Sequence, residues 1–188
     1  MKKTLMIIGI ILLILALPFS SMVMETMTAQ TDPVKEVREG DVIFQTSQSQ
    51  QSPLIQIATR SKISHCGIIV MKDGEPYVLE TLKTLVITPL DKFIARGKGG
   101  RYWLKRSNIE NIKIKYDSYL GKPYDLAFKF DNDKFYCSEL IYDIYKNQLG
   151  IELCEPKKVS DYLILGTDKL PMIEKAMKKR GITKEQYA

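Results

Sequence analysis

Residues 63 to 82, ISHCGIIVMKDGEPYVLETL, contain two apolar runs that meet at Asp73-Gly74. An Asp-Gly pair between strand-like runs is the strongest short signal for a β-hairpin, because both residues tolerate the positive φ of a type I′ turn. If the pair fills a two-residue turn, Lys72 lies opposite Glu75, and the register of the whole hairpin follows from that pairing. The sequence therefore predicts an antiparallel strand pair whose facing residues can be named individually.

The predicted register brings the single histidine of the chain close to a carboxylate. His65, Gly67 and Glu80 point to the same face, because side chains alternate between the two faces of a strand. Glu80 is a diagonal neighbour of His65, and the glycine between them leaves space. A lone histidine in an apolar strand is more often a core residue than a catalyst, but here a carboxylate can orient it. The opposite face is predicted to carry core material, namely Cys66, Ile68, Val70, Tyr77, Leu79 and Thr81, which places Cys66 outside a site built on His65.

A cysteine begins the segment CSELIYDIYK, residues 137 to 146. The apolar residues after it recur at the spacing of a helix with one buried face, at Leu140, Ile141, Ile144, Tyr145 and Leu149. The positive end of the helix dipole stabilises the thiolate form of a cysteine in the first turn. From these residues alone, Cys137 is either a nucleophile or a small buried residue at the start of a helix.

The remaining segments continue a pattern of strands first and helices later, which predicts an α+β domain with an antiparallel sheet. Residues 24 to 38 are predicted to be a linker. Further strands are predicted at 41 to 46, 85 to 88 and 101 to 107, and further helices at 52 to 58, 90 to 96 and 109 to 120.

The chain opens with two lysines and an apolar run from Leu5 to Leu17, followed by Pro18 and two serines. This pattern is typical of a secretory signal, and an uncut run continuing to Val23 is long enough for a short membrane anchor. We therefore expect residues 1 to 30 to be a signal peptide or an N-terminal membrane anchor. Residues 31 to 188 are expected to form one exported domain, in the periplasm or on the extracytoplasmic face.

The distribution of charge limits which binding partners we expect. The 188 residues carry a net charge of +6, and the excess lies mainly in EKAMKKRGITK near the C-terminus. A solvated terminal helix explains this run more simply than contact with an anionic polymer or lipid headgroups. The chain has no basic patch with interleaved aromatic residues, which is the pattern that would indicate nucleic-acid binding.

The three cysteines leave at least one thiol unpaired, and a bridge between Cys66 and Cys154 is one pairing that the sequence allows.

Thiol, imidazole and carboxylate are the three groups that acyl transfer by a cysteine nucleophile requires. Cys137, His65 and Glu80 supply them. The chain has no CxxC or HExxH spacing for a metal, and no GxSxG motif for a serine nucleophile. The residues therefore favour a thiol enzyme without a metal or cofactor.

Four short motifs resemble those of papain-like cysteine hydrolases of the NlpC type. They are GDVIF (40 to 44), SHCGI (64 to 68), GKPY (121 to 124) and CSEL (137 to 140). The cysteine helix follows the histidine strand, which is the circularly permuted order, and the chain is similar to the YiiX/YaeF-like branch over residues 38 to 155. The resemblance implies a permuted papain-like α+β fold in which an antiparallel sheet packs against the helix that carries the cysteine.

The same resemblance implies a role for each site residue. Cys137 is the expected nucleophile, His65 the base, Glu80 the third polar residue and Tyr124 a contributor to the oxyanion hole. Two positions depart from the family pattern. Tyr136 precedes the cysteine where many members have Asp, and Glu80 stands where many have His. Both departures leave the thiol chemistry possible and bear on the choice of substrate.

Three functions are compatible with these features. The first is an exported cysteine amidase or peptidase of the cell envelope, with a peptidoglycan stem peptide as the expected substrate. The second is a lipid-directed acyltransferase or acyl hydrolase, which needs a wide apolar pocket beside Cys137. The third is a non-catalytic, membrane-tethered binding module, in which Cys137 and His65 are misplaced or blocked.

Overall fold

The computed structural model describes residues 37–130, 132–156 and 170–179, together with 181 and 183. The predicted N-terminal signal or anchor at 1 to 30 lies outside these residues, as does most of the predicted linker. The described residues form one antiparallel sheet of five strands and four helices. The strands are β1 Val42–Ser47, β2 His65–Lys72, β3 Glu75–Thr81, β4 Leu85–Pro89 and β5 Gly97–Lys105, and the helices are α1 Ser52–Thr59, α2 Leu90–Arg96, α3 Cys137–Leu149 and α4 Leu170–Lys179. This arrangement is the predicted α+β class.

The hairpin of β2 and β3 has the predicted register. Lys72 pairs with Glu75, and the pairing continues to Ile68 opposite Leu79. Asp73 and Gly74 form the turn with φ angles of 53° and 84°, the positive values that a type I′ turn requires. The two strands lie inside the sheet, which has the order β4-β3-β2-β1-β5.

The centre of the sheet is covered on both faces. On one face α3 packs against β2, in a core that joins Leu140, Ile141 and Ile144 to Cys66, Ile68 and Val70. On the other face, α2 contributes Leu90 and Phe93 to a second core with Ile43, Ile69 and Val78. The faces separate because alternate residues of each strand point in opposite directions. Apolar burial on both faces holds the hairpin rigidly between two helices.

The predicted helix at 109 to 120 is wrong. Residues 112 to 116 run without helical structure, with Ile112 and Ile114 buried and Lys113 and Lys115 exposed. Buried and exposed residues alternate along this segment with a period of two, which is not the spacing of one face of a helix. Its backbone is bonded by side chains elsewhere in the fold: Ile114 N–H donates to Glu39 at 2.8 Å, and Lys115 N–H to Gln148 at 2.9 Å. These contacts replace the hydrogen bonds of a helix.

The other predicted elements are found close to their expected positions. The predicted strand at 101 to 107 is displaced, because β5 begins at Gly97 and ends at Lys105. Its early start follows from pairing, since Gly97 lies opposite Ser47 of β1. None of the helices in the described parts of the chain combines the length and the apolar character needed to cross a bilayer.

Candidate active site

Cys137 is the first residue of α3, as the sequence predicts. The helix begins there because Tyr136 has extended backbone, with φ −101° and ψ 165°. The carboxylate of Glu139 turns back to accept the Tyr136 N–H at 3.3 Å, which stabilises the first turn. The first N–H groups of a helix have no partner within it, so they point outward at this end. The Cys137 side chain therefore lies at the positive end of a helix, where it is only 3% exposed.

His65 and Glu80 are in direct contact. Nε2 of His65 lies 2.6 Å from Oε2 of Glu80, and Glu80 is 0% exposed. An ionised carboxylate only accepts hydrogen bonds, so Nε2 is the donor. The strand between them has room only for glycine at position 67, because a Cβ there would lie 2.3 Å from Cγ1 of Val78 and 3.4 Å from Cβ of Glu80. The predicted contact between His65 and Glu80 is confirmed.

Two further residues hold the Glu80 carboxylate in place. Arg96 at the end of α2 donates through Nη2 to both carboxylate oxygens, and Thr88 of β4 donates to Oε1 at 2.6 Å. Burial raises the pKa of Glu80, but the hydrogen bonds from His65, Arg96 and Thr88 outweigh burial and lower that pKa. Glu80 is therefore ionised and fixed in orientation.

Sequence reasoning missed both Arg96 and Thr88. A sequence signal for Thr88 exists. The strand β4 pairs with β3 and places Thr88 opposite Val78, on the same face of the sheet as Glu80. Arg96 gave no such signal. Its contact depends on how α2 packs across the sheet.

Cys137 and His65 interact with each other. Burial lowers the pKa of His65, but hydrogen bonds and charge from Cys137 and Glu80 outweigh burial and raise that pKa to about 9. Because Nε2 is engaged by Glu80, the nitrogen left for the sulfur is Nδ1. The pKa of Cys137 is lowered well below its usual value, first by a hydrogen bond from the Cys66 thiol and then by His65. The three groups form a continuous series from sulfur to imidazole to carboxylate.

Cys66 corrects one prediction. Its side chain does point away from the His65 face into the core under α3, as expected. The conclusion that it lies apart from the site is wrong, because α3 places Cys137 over that same face. The Cys66 thiol is a hydrogen-bond partner of the Cys137 sulfur, which raises the pKa of Cys66 well above its usual value. His65 is the first residue of β2, and its ring at the strand end stacks on Phe93 and also interacts with Cys137.

The bridge between Cys66 and Cys154 that the sequence allows is absent. None of the three cysteines, all of which lie within residues 37–156, is joined in a disulfide. Cys154 instead packs with Tyr142 and Phe130 in a small separate cluster.

A groove of about 440 Å³ opens beside these residues. His65 lies in its wall together with Tyr124, the residue expected to help bind an oxyanion. A parallel bridge between Tyr124 and Phe135 places Tyr124 next to the strand-like segment that leads into Cys137. Most residues of the groove wall have polar side chains, among them Gln48, Gln51, Ser64, Thr81, Lys83 and Arg96, and its aliphatic members are Ile55 and Leu82, but the larger part of the wall's surface is apolar. Cys137 is not part of that wall, so its thiol lies behind the groove surface.

A larger cavity of about 570 Å³ lies elsewhere, at Arg38, Asp41 and Arg106. It is lined by none of the three residues of the thiol series. Its central contact is an ion pair in which Arg106 donates to both oxygens of Asp41, at 2.7 and 2.6 Å. The size of this cavity does not make it the site, because the paired nucleophile and base lie beside the smaller groove.

Comparison with known proteins identifies a family for this fold. A family model described as "Permuted papain-like amidase enzyme, YaeF/YiiX, C92 family" matches residues 36–183. The chain is similar to the uncharacterized protein YiiX of Escherichia coli strain K12, with 35% identity over 148 residues, which are 75% of this chain and 71% of that protein.

A solved structure is similar over most of its length. It is the crystal structure of the metalloprotein yiiX from Escherichia coli O157:H7, with 34% identity, a TM-score of 0.67, and coverage of 80% of this chain and 85% of that one. Metal binding is a statement about that protein. Within the described parts of the present chain, no group of three or more His, Cys, Asp or Glu side chains is arranged to hold a metal ion. The described residues therefore do not fit a metal centre, and the chemistry below uses only side chains of this chain.

The match of the family model covers both the histidine strand and the cysteine helix, and the fold and their order along the chain agree with it. The chain belongs to the C92 family of permuted papain-like amidases, the YaeF/YiiX family.

Proposed function

We propose that this protein hydrolyses an amide bond of a peptide-type substrate, with Cys137 as the nucleophile, His65 as the general base and acid, and Glu80 as the residue that orients His65. The observation that carries this proposal is the series of contacts from the Cys137 sulfur through the imidazole of His65 to Glu80. A nucleophile, a base and an orienting group in mutual contact are the arrangement that cysteine acyl transfer needs. The same contacts argue against a non-catalytic module, in which these residues need not meet.

The first step begins from a thiolate and an imidazolium. His65 takes the thiol proton, which the lowered pKa of Cys137 and the raised pKa of His65 both favour. The sulfur attacks the amide carbonyl, and a tetrahedral oxyanion forms. We assign the binding of that oxygen to backbone N–H groups at the start of α3 and to the Tyr124 hydroxyl.

The second step returns the enzyme to its starting state. The imidazolium of His65 gives its proton to the departing amine, and the carbon–nitrogen bond breaks to leave a thioester on Cys137. Water then attacks the thioester, with His65 accepting a proton from the water and passing it to the departing thiolate. Glu80 stays ionised throughout and stabilises the imidazolium.

The groove combines polar side chains with a larger apolar surface, which suits a peptide that carries both amide groups and apolar side chains. Most of the residues in its wall carry hydroxyl, amide or cationic groups, and Ile55 and Leu82 are its aliphatic members. An alkyl chain gains affinity from apolar surface and leaves polar wall groups without partners. A peptide brings its own donors and acceptors. The lipid-directed alternative needs a wide apolar pocket, whereas polar side chains also line this groove.

Export and a cell-envelope substrate are part of the same proposal. They rest on the lysines and apolar run at residues 1 to 30, which have the pattern of a signal or anchor. A peptide of the peptidoglycan stem is a polar amide substrate available in that compartment. Fractionation of cells that produce the full chain, with and without residues 1 to 30, tests the location directly.

The proposed activity is tested with purified protein and a panel of N-acyl peptide amides of aminomethylcoumarin, including stem-type peptides. The wild type is expected to release the fluorophore, and Cys137→Ala and His65→Ala to lose that release. Cys154→Ala is the matched control, because Cys154 packs in a separate cluster with Tyr142 and Phe130. Release by Cys137→Ala at the wild-type rate contradicts the proposal, and binding of the peptides without turnover favours the binding-module alternative.

A further inference from the structure

We propose that Lys83, together with Arg96, binds a carboxylate of the substrate in the groove, so that the enzyme selects peptides with an acidic side chain close to the cleaved bond. The proposal rests on the proposed amidase function and names the class of substrate within it. It makes Lys83 a specificity-determining residue, which contacts the substrate but takes no part in the chemical steps.

The wall of the groove carries cations and no carboxylate. Of its twelve residues, Lys83 and Arg96 are cationic, His65 becomes cationic when protonated, and none is Asp or Glu. Glu80 contacts His65 and Arg96 from behind, but it is 0% exposed and is not part of the wall. A cleft whose charged groups all have one sign attracts ligands of the opposite sign.

Lys83 lies in the turn between β3 and β4, and its backbone is fixed beside the proposed oxyanion site. Its carbonyl oxygen accepts the N–H of Tyr124 at 3.0 Å, and within the turn Leu82 N–H donates to Thr84 O at 2.9 Å. The side chain of Lys83 is exposed. Among the residues that the structure describes, none forms an ion pair with its ammonium group. Lys83 therefore offers a cation at a fixed place in the groove wall.

Arg96 has donors to spare. It contacts Glu80 through Nη2 alone, and no described residue accepts a hydrogen bond from its Nε or Nη1. The side chain is 39% exposed, and it forms part of the groove wall. A guanidinium binds carboxylates well, because its N–H groups form a planar fork that matches two oxygens.

The charges of the other site residues largely offset one another. The thiolate of Cys137 offsets the imidazolium of His65, and the carboxylate of Glu80 offsets the guanidinium of Arg96. The charge of Lys83 is left uncompensated, so the groove has an excess of positive charge. In a peptide substrate, the group that complements this excess is the carboxylate of an acidic side chain. A glutamine side chain has the same shape without the charge, which makes it the matched comparison.

The test uses pairs of internally quenched peptides that differ only by Glu or Gln at one position, for each of the two positions on either side of the cleaved bond. Lys83→Met removes the charge, Lys83→Glu reverses it, and Lys83→Arg keeps it. Lys72→Met is the matched control, because Lys72 is also exposed but lies at the end of β2 opposite to His65.

The wild type is expected to prefer Glu over Gln at one or more positions by about fivefold in kcat/KM, mainly through KM, as an exposed ion pair predicts. Lys83→Met is expected to reduce this preference, Lys83→Glu to abolish or reverse it, and Lys83→Arg and Lys72→Met to keep it. Ionic strength of about 1 M, where the screening length is about 3 Å, is expected to weaken the preference.

Three results overturn the assignment to Lys83. They are the absence of a preference for Glu at every position, a preference in Lys83→Glu that equals that of the wild type, and a preference that falls as far in Lys72→Met as in Lys83→Met. The last result would make the preference an effect of the net charge of the protein.

The carboxylate site and the amidase function can fail separately. If the wild type cleaves no peptide, the proposed function fails, and binding is measured instead. Fluorescein-labelled peptides of each Glu and Gln pair are then titrated with Cys137→Ala protein and with Cys137→Ala, Lys83→Glu protein, and fluorescence anisotropy is recorded. Tighter binding of the Glu peptide by the first protein, lost in the second, supports the site. Equal affinity for the two peptides, or no binding of either, overturns it.

Discussion

Arg96 donates through a single nitrogen, Nη2, to both carboxylate oxygens of Glu80, at 2.5 and 2.6 Å. The same carboxylate accepts from His65 at 2.6 Å. Glu80 therefore shares its charge between a guanidinium and an imidazole. The guanidinium fixes the carboxylate plane, and the carboxylate in turn fixes the imidazole. Arg96 thus acts on the thiol through two intermediates and is a positioning residue.

Arg96→Met is expected to lower kcat by about tenfold, because Glu80 loses its fixed orientation. It is also expected to raise the pKa of His65, because the Glu80 charge is no longer shared with a guanidinium. The alkaline limb of the kcat/KM profile should then move to higher pH. Lys92→Met is the control, since Lys92 is an exposed cation on the same helix. An alkaline limb that stays in place would show that Arg96 has only a structural role.

The pH profile of the wild type follows from the two pKa shifts. Thiolate forms as pH rises through the lowered pKa of Cys137, and imidazolium is lost as pH rises through about 9. We expect kcat/KM to be bell-shaped, with its alkaline limb near pH 9. Alkylation of Cys137 by iodoacetamide should remain fast well below the usual pKa of a thiol. In His65→Ala, the pH at which the alkylation rate rises should move to a higher value. A rate profile that does not move contradicts the thiolate–imidazolium pair.

Glu80→Gln is expected to lower kcat by about tenfold to a thousandfold, with a smaller effect on KM. The amide keeps the shape of the side chain but does not carry the charge that stabilises imidazolium. Glu80→Ala should be at least as damaging, because it also removes the acceptor for His65, Arg96 and Thr88. Steady-state kinetics on both variants, with circular dichroism to verify folding, provide the measurement. Wild-type kcat in Glu80→Gln would mean that His65 is oriented by another group.

Cys66→Ala is expected to reduce the reactivity of Cys137 mainly at low pH. The Cys66 thiol donates to the Cys137 sulfur and lowers its pKa, so its removal moves the acidic limb to higher pH. Cys66→Ser keeps a donor, and it should retain most of the activity while lowering stability, since the hydroxyl is placed in an apolar core. Iodoacetamide alkylation rates against pH separate the two variants. A loss in Cys66→Ser as deep as that of Cys137→Ala, with unfolding excluded by circular dichroism, would contradict the supporting role of Cys66.

Local signals predicted much of this site. The two-residue turn at Asp73-Gly74 sets the hairpin register, so the contact between His65 and Glu80 could be predicted from residues that lie within one motif. The helix at Cys137 followed from apolar spacing in the same way. In both cases the determinants are near in sequence, and a period of two or 3.6 residues reports them.

What could not be predicted depends on packing between distant segments. Cys66 lies in the site only because α3 crosses its face of the sheet, and no property of β2 alone indicates which helix covers that face. The segment at 109 to 120 is not the predicted helix, because its backbone bonds to Glu39 and Gln148, which are remote in sequence. Local patterns contain no information about such partners.

The central claim is that Cys137 forms a covalent thioester with the acyl part of its substrate. The most direct measurement is an acid quench of wild-type protein during turnover of a peptide amide, followed by intact-mass and peptide mass spectrometry. We predict an added mass equal to the acyl group, located on Cys137, and no added mass in Cys137→Ala. An acyl group on Cys66 or Cys154, or turnover by Cys137→Ala at the wild-type rate, would contradict the account.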